Sequence, residues 1–277
     1  MSARAEARRT APRAGIPWGM RLGATAQSEW IKFRSVRSAP AVLLATGATL
    51  LLGAWLVCAG YRSGWAGMSA ADRASFDPVY ASLRGIELAQ LFTGALGVLT
   101  VTGEYTSGQI RTTFAATPQR VQVVALKALV FGAVVWSWST VLAFAAFFLG
   151  QGRLSAPATH AALGDAGVPT AVFGAGLYLA ATGLLGLFLG VLLRRTSAAL
   201  AALFGVLLIL PVAASMLPGS LGDRIGEYLP SNAGEEIWML NHDGPYALGA
   251  WPGFAVLAGC VAAVAAAAIV LIRRKDA

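Results

Sequence analysis

Six long apolar runs constrain this chain more than any other feature of its sequence. They cover residues 40–59, 86–102, 128–149, 168–193, 198–217 and 247–272. A helix needs about 20 mostly apolar residues to cross the roughly 30 Å hydrocarbon core of a bilayer. The runs are continuous and rich in Ala and Leu, whereas a membrane β-barrel is built from short alternating strands. The sequence therefore predicts an all-α polytopic membrane protein with six transmembrane helices.

The composition excludes the two other common classes of chain. Hydrophobic residues make up 57% of the sequence and charged residues only 12%. A soluble domain carries about 25% charged residues, so this chain lacks the charge that a water-exposed surface needs. Intrinsic disorder requires low hydrophobicity and is excluded for most of the length.

The basic residues predict the orientation of the spans. Of the 21 Lys and Arg residues, 16 lie in segments 1–39, 103–127, 194–197 and 273–277, and five lie in 60–85, 150–167 and 218–246. Cytoplasmic loops carry the excess of Lys and Arg. We therefore expect both termini to be cytoplasmic in a multi-pass protein of the plasma membrane. The net charge of +8 then reflects topology, and nucleic acid is not an expected partner.

The N-terminal segment divides into two parts. Residues 1–18 are rich in Arg and Ala and are expected to form a flexible basic tail. In residues 19–38, apolar side chains recur at helical spacing, as at Trp30 and Phe33, among basic and polar ones. This pattern favours an amphipathic helix in the headgroup layer, with membrane lipid as its partner. The alternative is a juxtamembrane stretch with no role beyond orientation.

No pattern for catalysis or metal binding is present in the sequence. None of the three lysines is followed by Ser or Thr, so there is no P-loop for ATP. The two histidines are far apart, and no Ser-centred nucleophile elbow occurs. We therefore expect no catalytic residue, no metal ligand and no cofactor bound by this chain.

Two ionisable residues lie close to predicted spans. Glu87 follows Arg84 by three residues, which favours a helical ion pair in the headgroup zone. Lys127 lies just before the third span, where its long side chain is expected to snorkel to the membrane surface.

Small residues in the fourth span indicate close helix packing. The glycines Gly176, Gly183, Gly186 and Gly190 fall near one stripe of that helix. Spacing of this kind lets two helices approach closely. The partner helix can belong to this chain or to a second one.

The segment between the second and third spans is the most specific part of the chain. Gly108 permits a tight turn after the second span. Residues 109–116 are expected to form a short helix with Ile110 and Phe114 on one side, and Pro118 ends it. The apolar side of this helix requires a partner, either lipid or another protein.

Three stretches of the chain resemble one transporter family. They are SEWIKFRSVRS (28–38), EYTSGQIRTT (104–113) with Pro118 and Arg120, and YLPSNAG (228–234). Together with the six-span layout, they resemble the permease subunit of type-two ATP-binding-cassette transporters, in a form common in actinobacteria. The resemblance covers roughly residues 25–275.

The resemblance implies two six-span subunits, in a homo- or heterodimer, driven by separate cytoplasmic ATPase subunits that bind ATP and Mg. The residues carried over to ATPase coupling are Glu29, Lys32, Arg34, Glu104, Tyr105, Gly108, Ile110, Arg111, Thr112, Phe114, Pro118 and Arg120. The segment 221–238 is implied to form short helices that act as an outer gate, with Tyr228, Leu229, Pro230, Ser231, Asn232 and Gly234. The external segments are short, which argues against an added domain for large polysaccharides.

The expected function is that of a permease subunit of an ATP-driven exporter. Few fixed charges lie in the spans, which favours a lipophilic or amphiphilic cargo. A membrane anchor or sensor acting through an ATPase partner, and a secondary transporter driven by an ion gradient, remain alternatives. An intramembrane enzyme is disfavoured because no constellation of polar residues is apparent.

Overall fold

The computed structural model describes residues 27, 28, 30, 31, 38–108, 120–154, 158–218, 220–241 and 248–274. All regular secondary structure within these residues is helical. Six of the helices are long and apolar enough to cross a membrane, which confirms the predicted six-span, all-α architecture.

The six spans are longer at several ends than their apolar runs. They cover Ala39–Gly64, Ile86–Thr106, Arg120–Arg153, Val168–Leu193, Thr196–Ser215 and Ala250–Arg274. Short helices cover Ala70–Ala74, Pro78–Leu83, Ser220–Glu227 and Pro230–Glu235, and 3₁₀ turns cover Trp65–Gly67 and Glu236–Trp238. The second span thus continues beyond 102 and the third begins well before 128. The predicted ends of these two spans lie inside the helices, because each was placed where a charged residue interrupts the apolar run.

A π-helical turn interrupts the fifth span. The helix is α-helical over Thr196–Phe204, widens over Gly205–Ile209 and returns to α-helix over Leu210–Ser215. Pro211 has no backbone N–H, and its ring collides with the carbonyl group four residues earlier. The wider turn directly before the proline accommodates this collision.

The fourth span forms the centre of the bundle. In its most apolar stretch 78% of the residues are buried, compared with 61% in the second span and 22–33% in the other four. Large apolar side chains on those outer spans, such as Leu44, Val141 and Ile209, are exposed. The second and fourth spans are therefore the core pair, and the other spans present apolar faces suited to lipid.

Apolar packing also establishes the two sides of the bundle. One buried cluster contains Ala39, Val101, Val124, Val191 and Ile272. These residues lie at the starts of the first and third spans and at the ends of the second, fourth and sixth. We call this the terminal side, because the first span begins and the sixth span ends there, and the opposite side the far side.

The core pair is held together by glycine contacts. A Cβ atom on Gly97 would collide with the carbonyl oxygen of Gly183, and one on Gly186 would collide with the carbonyl oxygen of Gly94. The two backbones are therefore in direct contact at two levels. This proximity excludes larger side chains and makes the second and fourth spans one rigid unit.

On the far side, residues 220–238 form a segment that enters the bundle. We call this the cap segment. Gly234 contacts Leu257 of the sixth span and Tyr178 of the fourth, and a Cβ atom on Gly253 would collide with the Ala233 carbonyl oxygen. At a rise of about 1.5 Å per residue, Leu257 and Tyr178 lie roughly 10–15 Å inside their helices. The cap segment therefore inserts between the fourth and sixth spans.

Candidate functional site

A buried ion pair joins the second and third spans on the terminal side. The Lys127 Nζ atom lies 2.7 Å from the Glu104 Oε1 atom, and both residues are less than 10% exposed. A single buried charge is strongly unfavourable, whereas a hydrogen-bonded pair is tolerated. The prediction that Lys127 snorkels to the membrane surface was therefore wrong, because its partner lies within reach on the neighbouring helix.

Two further contacts attach the turn between the fourth and fifth spans to the end of the second span, next to Glu104. The Arg194 guanidinium lies over the Tyr105 ring, 5.6 Å from its centroid. Thr196 donates a hydrogen bond of 2.9 Å to the Thr102 hydroxyl. Arg194 itself adopts a left-handed backbone conformation with φ of 57°, which ends the fourth span.

These six residues, Thr102, Glu104, Tyr105, Lys127, Arg194 and Thr196, form what we call the terminal joint. Four spans meet at it: the second, third, fourth and fifth. A force applied to the segment between the second and third spans would therefore reach the core pair directly.

The segment after the terminal joint begins with a sharp turn. The second span ends at Thr106, and Gly108 follows with φ of 71°, a conformation that favours glycine. Arg120 is partly exposed at the start of the third span. Ile110, Arg111, Thr112, Phe114 and Pro118 lie outside the described residues, as do Glu29, Lys32 and Arg34. Of the predicted coupling residues, the structure therefore describes Glu104, Tyr105, Gly108 and Arg120.

The predicted interfacial helix is described only at four positions. Gln27, Ser28, Trp30 and Ile31 are helical and exposed. Trp30 lines an open groove of about 550 Å³ together with residues of the first and third spans, among them Pro40 and Trp138. This part of the segment therefore lies on the terminal side, next to the membrane-facing surface.

The predicted gate residues take different positions in the cap segment. Tyr228 is 61% exposed, and Leu229 and Pro230 are partly exposed. Ser231 and Gly234 are buried. Asn232 is partly exposed and donates a 3.3 Å hydrogen bond to the Gly226 carbonyl oxygen, which ties the two short helices together.

The four predicted packing glycines all contact other parts of this chain. Gly176 faces Thr140 of the third span, and Gly190 faces Val98 of the second. Gly183 and Gly186 face the second span, and Gly183 also contacts Phe131. The stripe is therefore occupied within the chain.

A polar network lies on the far side, and the sequence predicted only its Arg84–Glu87 ion pair. The Arg84 Nε atom lies 2.9 Å from Glu87 Oε1, the ion pair that the spacing had indicated. Tyr80 donates to the same carboxylate oxygen over 3.3 Å, and Arg84 donates to the Tyr80 hydroxyl. Tyr178, fully buried in the fourth span, donates to Gln90 Oε1 over 2.6 Å. The start of the second span is thus bonded both to the preceding loop and to the fourth span.

Aromatic rings connect this network to the cap segment. Trp238 is fully buried and stacks on Tyr80 with 5.0 Å between ring centroids and 8° between ring planes. Its edge meets the Tyr178 ring at 6.4 Å. Stacked and edge-to-face aromatic pairs stabilise contacts beyond their buried area. Through Trp238, the cap segment thus contacts Tyr178 of the fourth span and Tyr80 of the helix that precedes the second span.

Glu235 of the cap segment faces the same network. Burial raises the pKa of Glu235 to about 8, and nearby Glu87 and Glu236 add to the rise, whereas Arg84 opposes it. Burial likewise raises the pKa of Tyr80, which keeps its hydroxyl protonated. We call the set Tyr80, Arg84, Glu87, Gln90, Tyr178, Glu235 and Trp238 the far-side cluster.

Asp77 ties the helix Pro78–Leu83 to the residues that follow the cap segment. Its Oδ1 atom accepts hydrogen bonds from the N–H groups of Val79 and Tyr80 and so caps the helix Pro78–Leu83. Its Oδ2 atom accepts from the N–H of Leu240 over 2.8 Å and of Asn241 over 3.3 Å. One carboxylate thus fixes Tyr80 and the chain that follows Trp238 relative to each other.

The sequence contained only weak signals of these two sites. Gln90 and Tyr178 are polar residues inside apolar runs of the sequence, which is a usable signal because a polar side chain in such a run requires a partner. Both are buried in the structure. Within the part of the chain that the structure describes, no group of three or more His, Cys, Asp or Glu residues is placed to hold a metal ion. Comparison with protein-family models, curated proteins and solved structures found no match to this chain.

Proposed function

We propose that this chain is the permease subunit of an ATP-driven exporter, with the terminal side in the cytoplasm. Separate ATPase subunits dock around residues 104–120 and supply the energy, and a second permease subunit completes the pathway. The resemblance of residues 28–38, 104–113 and 228–234 to the type-two permeases supports this assignment. The bundle offers few charges to a passing molecule, so a lipophilic or amphiphilic cargo fits best.

The terminal joint is the observation that carries the proposal. An ATPase needs a stiff connection if movement of a surface segment is to move the spans. The Glu104–Lys127 pair joins the helices on both sides of that segment, and Tyr105 and Thr102 extend the connection to the fourth and fifth spans. A chain that served only as a lipid-embedded anchor would not require this rigidity.

The route for the motion continues through the core pair. The glycine contacts between the second and fourth spans make them move together. On the far side, Trp238 of the cap segment packs against Tyr80 and Tyr178. In the proposed cycle, displacement of the segment after Ser107 tilts the core pair as a rigid body and shifts the cap segment, opening a path on the far side.

A charge-swap experiment tests the role of the terminal joint. The chain is reconstituted in vesicles with the ATPase that co-purifies with it, and ATP hydrolysis and movement of an amphiphilic dye are measured together. Glu104→Lys and Lys127→Glu should each reduce dye movement per ATP hydrolysed, because each places two like charges in contact. The double variant, which restores an opposite pair, should recover most of it.

Arg274→Glu is the matched control, because Arg274 is exposed at the end of the sixth span on the same side. It should behave like the unmodified chain. Dye movement driven by an ion gradient without ATP would favour a secondary transporter instead. Intact ATP hydrolysis with no cargo moved by any variant would favour a sensor.

A further inference from the structure

The cap segment is held in the bundle mainly by apolar and aromatic packing. Ala233 and Trp238 are fully buried, and Ile237 is nearly so. By contrast, the hydroxyl of Ser231 and the indole nitrogen of Trp238 are buried without a hydrogen-bond partner in the part of the chain that the structure describes. The polar groups of this insertion are therefore incompletely satisfied.

Glu235 lies on the same helical face as these two groups. Ser231, Glu235 and Trp238 are spaced four and three residues apart, which places them on one side of a helix. The Glu235 carboxyl is only partly exposed and makes no hydrogen bond or ion pair with the described residues. It is the one group of this face that can change its charge.

The charges around Glu235 oppose its ionisation. Glu236 is next to it, and Glu87 approaches from the second span. Among the described residues, Arg84 from the turn before that span is the favourable charge, and it is already engaged by Glu87. From the fourth span and the helix Pro78–Leu83, the titratable groups are the hydroxyls of Tyr178 and Tyr80. The neighbouring part of the sixth span, around Gly253 and Leu257, presents no charged side chain.

The aromatic side chains of the far-side cluster pack against one another beside this position. Tyr178 and Trp238 are fully buried and meet edge to face, and Tyr80 covers one face of the indole. A proton needs no cavity. It also removes the charge that the surrounding carboxylates and the apolar packing disfavour.

We propose that Glu235 is a proton-binding site that controls whether the cap segment stays inserted in the bundle. The protonated carboxyl is neutral and remains among the aromatic rings. Ionisation places a third carboxylate beside Glu87 and Glu236 and requires burial of its charge, so the segment 230–238 shifts toward water. Acidity on the far side therefore closes this end of the bundle and alkalinity loosens it. The inference does not depend on what the chain transports.

Hydrogen exchange of the cap segment tests the proposal. The full-length protein is placed in nanodiscs of phosphatidylcholine and phosphatidylglycerol, and exchange of residues 230–238 is measured at pH 6 and pH 9. Rates are normalised to intrinsic exchange, so that only opening is compared. Opening should increase more than about tenfold between the two pH values, because ionisation favours the open form by up to about tenfold per pH unit.

Glu235→Gln should abolish this increase and stay protected at both pH values. Glu227→Gln is the matched control, since it makes the same chemical change in the cap segment at a residue outside the far-side cluster, and it should behave like the unmodified chain. A pH-independent exchange rate in the unmodified chain would overturn the proposal. An unchanged pH step in Glu235→Gln would do so as well, by assigning the step to another group.

Two further variants keep the proposal testable if Glu235→Gln does not fold. Arg84→Gln removes the favourable charge and should move the midpoint of the pH step upward. Glu87→Gln removes an unfavourable charge and releases Arg84, so it should move the midpoint downward. Opposite shifts support proton binding at Glu235, whereas equal shifts or none would contradict it.

Discussion

The Glu104–Lys127 ion pair forms only when the second and third spans pack together. Both side chains are buried, and the Nζ–Oε1 distance is 2.7 Å. Removing Lys127 leaves the buried Glu104 carboxylate without its counter-ion. Removing both partners eliminates the charges together, which is often nearly neutral for stability.

A double-mutant cycle should expose this asymmetry. Lys127→Met alone should lower the free energy of unfolding by about 3 kcal/mol, because Glu104 is left unpaired. Glu104→Gln with Lys127→Met should recover more than half of that loss. Unfolding by SDS titration in mixed micelles is the measurement, and additive losses in the double variant would mean that the two residues do not interact.

Because the pKa of Glu235 is raised, the free energy of unfolding should fall as the pH rises. This pKa is about 8 in the folded chain and near 4.5 when exposed. Between these values the folded state holds a proton that the unfolded state has lost, so stability falls as the pH rises through this window. The expected loss is ~1 kcal/mol per pH unit, reduced by the partial exposure of the side chain.

Thermal unfolding at pH 5 to 9 checks this expectation. The unmodified chain should lose stability across the range, and Glu235→Gln should give a flatter profile. A profile that rises with pH in the unmodified chain and not in the variant would contradict the assignment, because it would require a lowered pKa.

At the scale of helices, the contact between the second and fourth spans is the most restrictive. Gly97 meets the Gly183 backbone, whereas a Cβ atom on Gly103 of the same span would have no neighbouring atom within 4 Å. The two positions therefore share a helix and differ only in the space beside them.

Alanine substitution should separate these two glycines. Gly97→Ala should cost about 1–3 kcal/mol, because the two backbones must move apart. Gly103→Ala should be neutral or stabilising by up to ~1 kcal/mol through helix propensity. Unfolding in mixed micelles measures both, and equal effects would argue against the close contact.

The hydrogen bonds of Asp77 connect the helix Pro78–Leu83 with residues 240 and 241, and substitution of Asp77 tests this connection. Asp77→Ala should lower stability by about 1–2 kcal/mol, since it removes a helix cap and the acceptor for Leu240 and Asn241. Asp77→Asn retains an oxygen for the cap and loses the second acceptor. Hydrogen exchange of residues 236–241 should therefore increase in both variants, while that of residues 79–83 increases only in Asp77→Ala.

The helices themselves could be predicted because each span is encoded locally by a continuous apolar run. The ends of the second and third spans could not, since Glu104 and Lys127 interrupt their runs and become tolerable only through each other. The far-side cluster was missed for a related reason. Its members come from a loop, two spans and the cap segment, and no local pattern in the sequence records that Tyr178 meets Trp238.

The whole molecule is a bundle with a polar site at each end and a glycine-packed core between them. The terminal joint connects four spans, and the far-side cluster holds the cap segment. Between the two sites, the second and fourth spans provide a stiff connection. Under the proposed function, this connection carries a movement from the terminal joint to the cap segment.

Site-specific photocrosslinking can identify the protein that docks on the terminal side. A benzoylphenylalanine is placed at Ser107, exposed beside the terminal joint, or at Tyr228, exposed on the cap segment. The full-length chain is irradiated in its native membrane, and crosslinked proteins are identified by mass spectrometry. We expect an ATP-binding-cassette ATPase to be crosslinked from position 107 and none from position 228. An ATPase crosslinked from position 228, or none from either position while the chain still moves its cargo, would contradict this expectation.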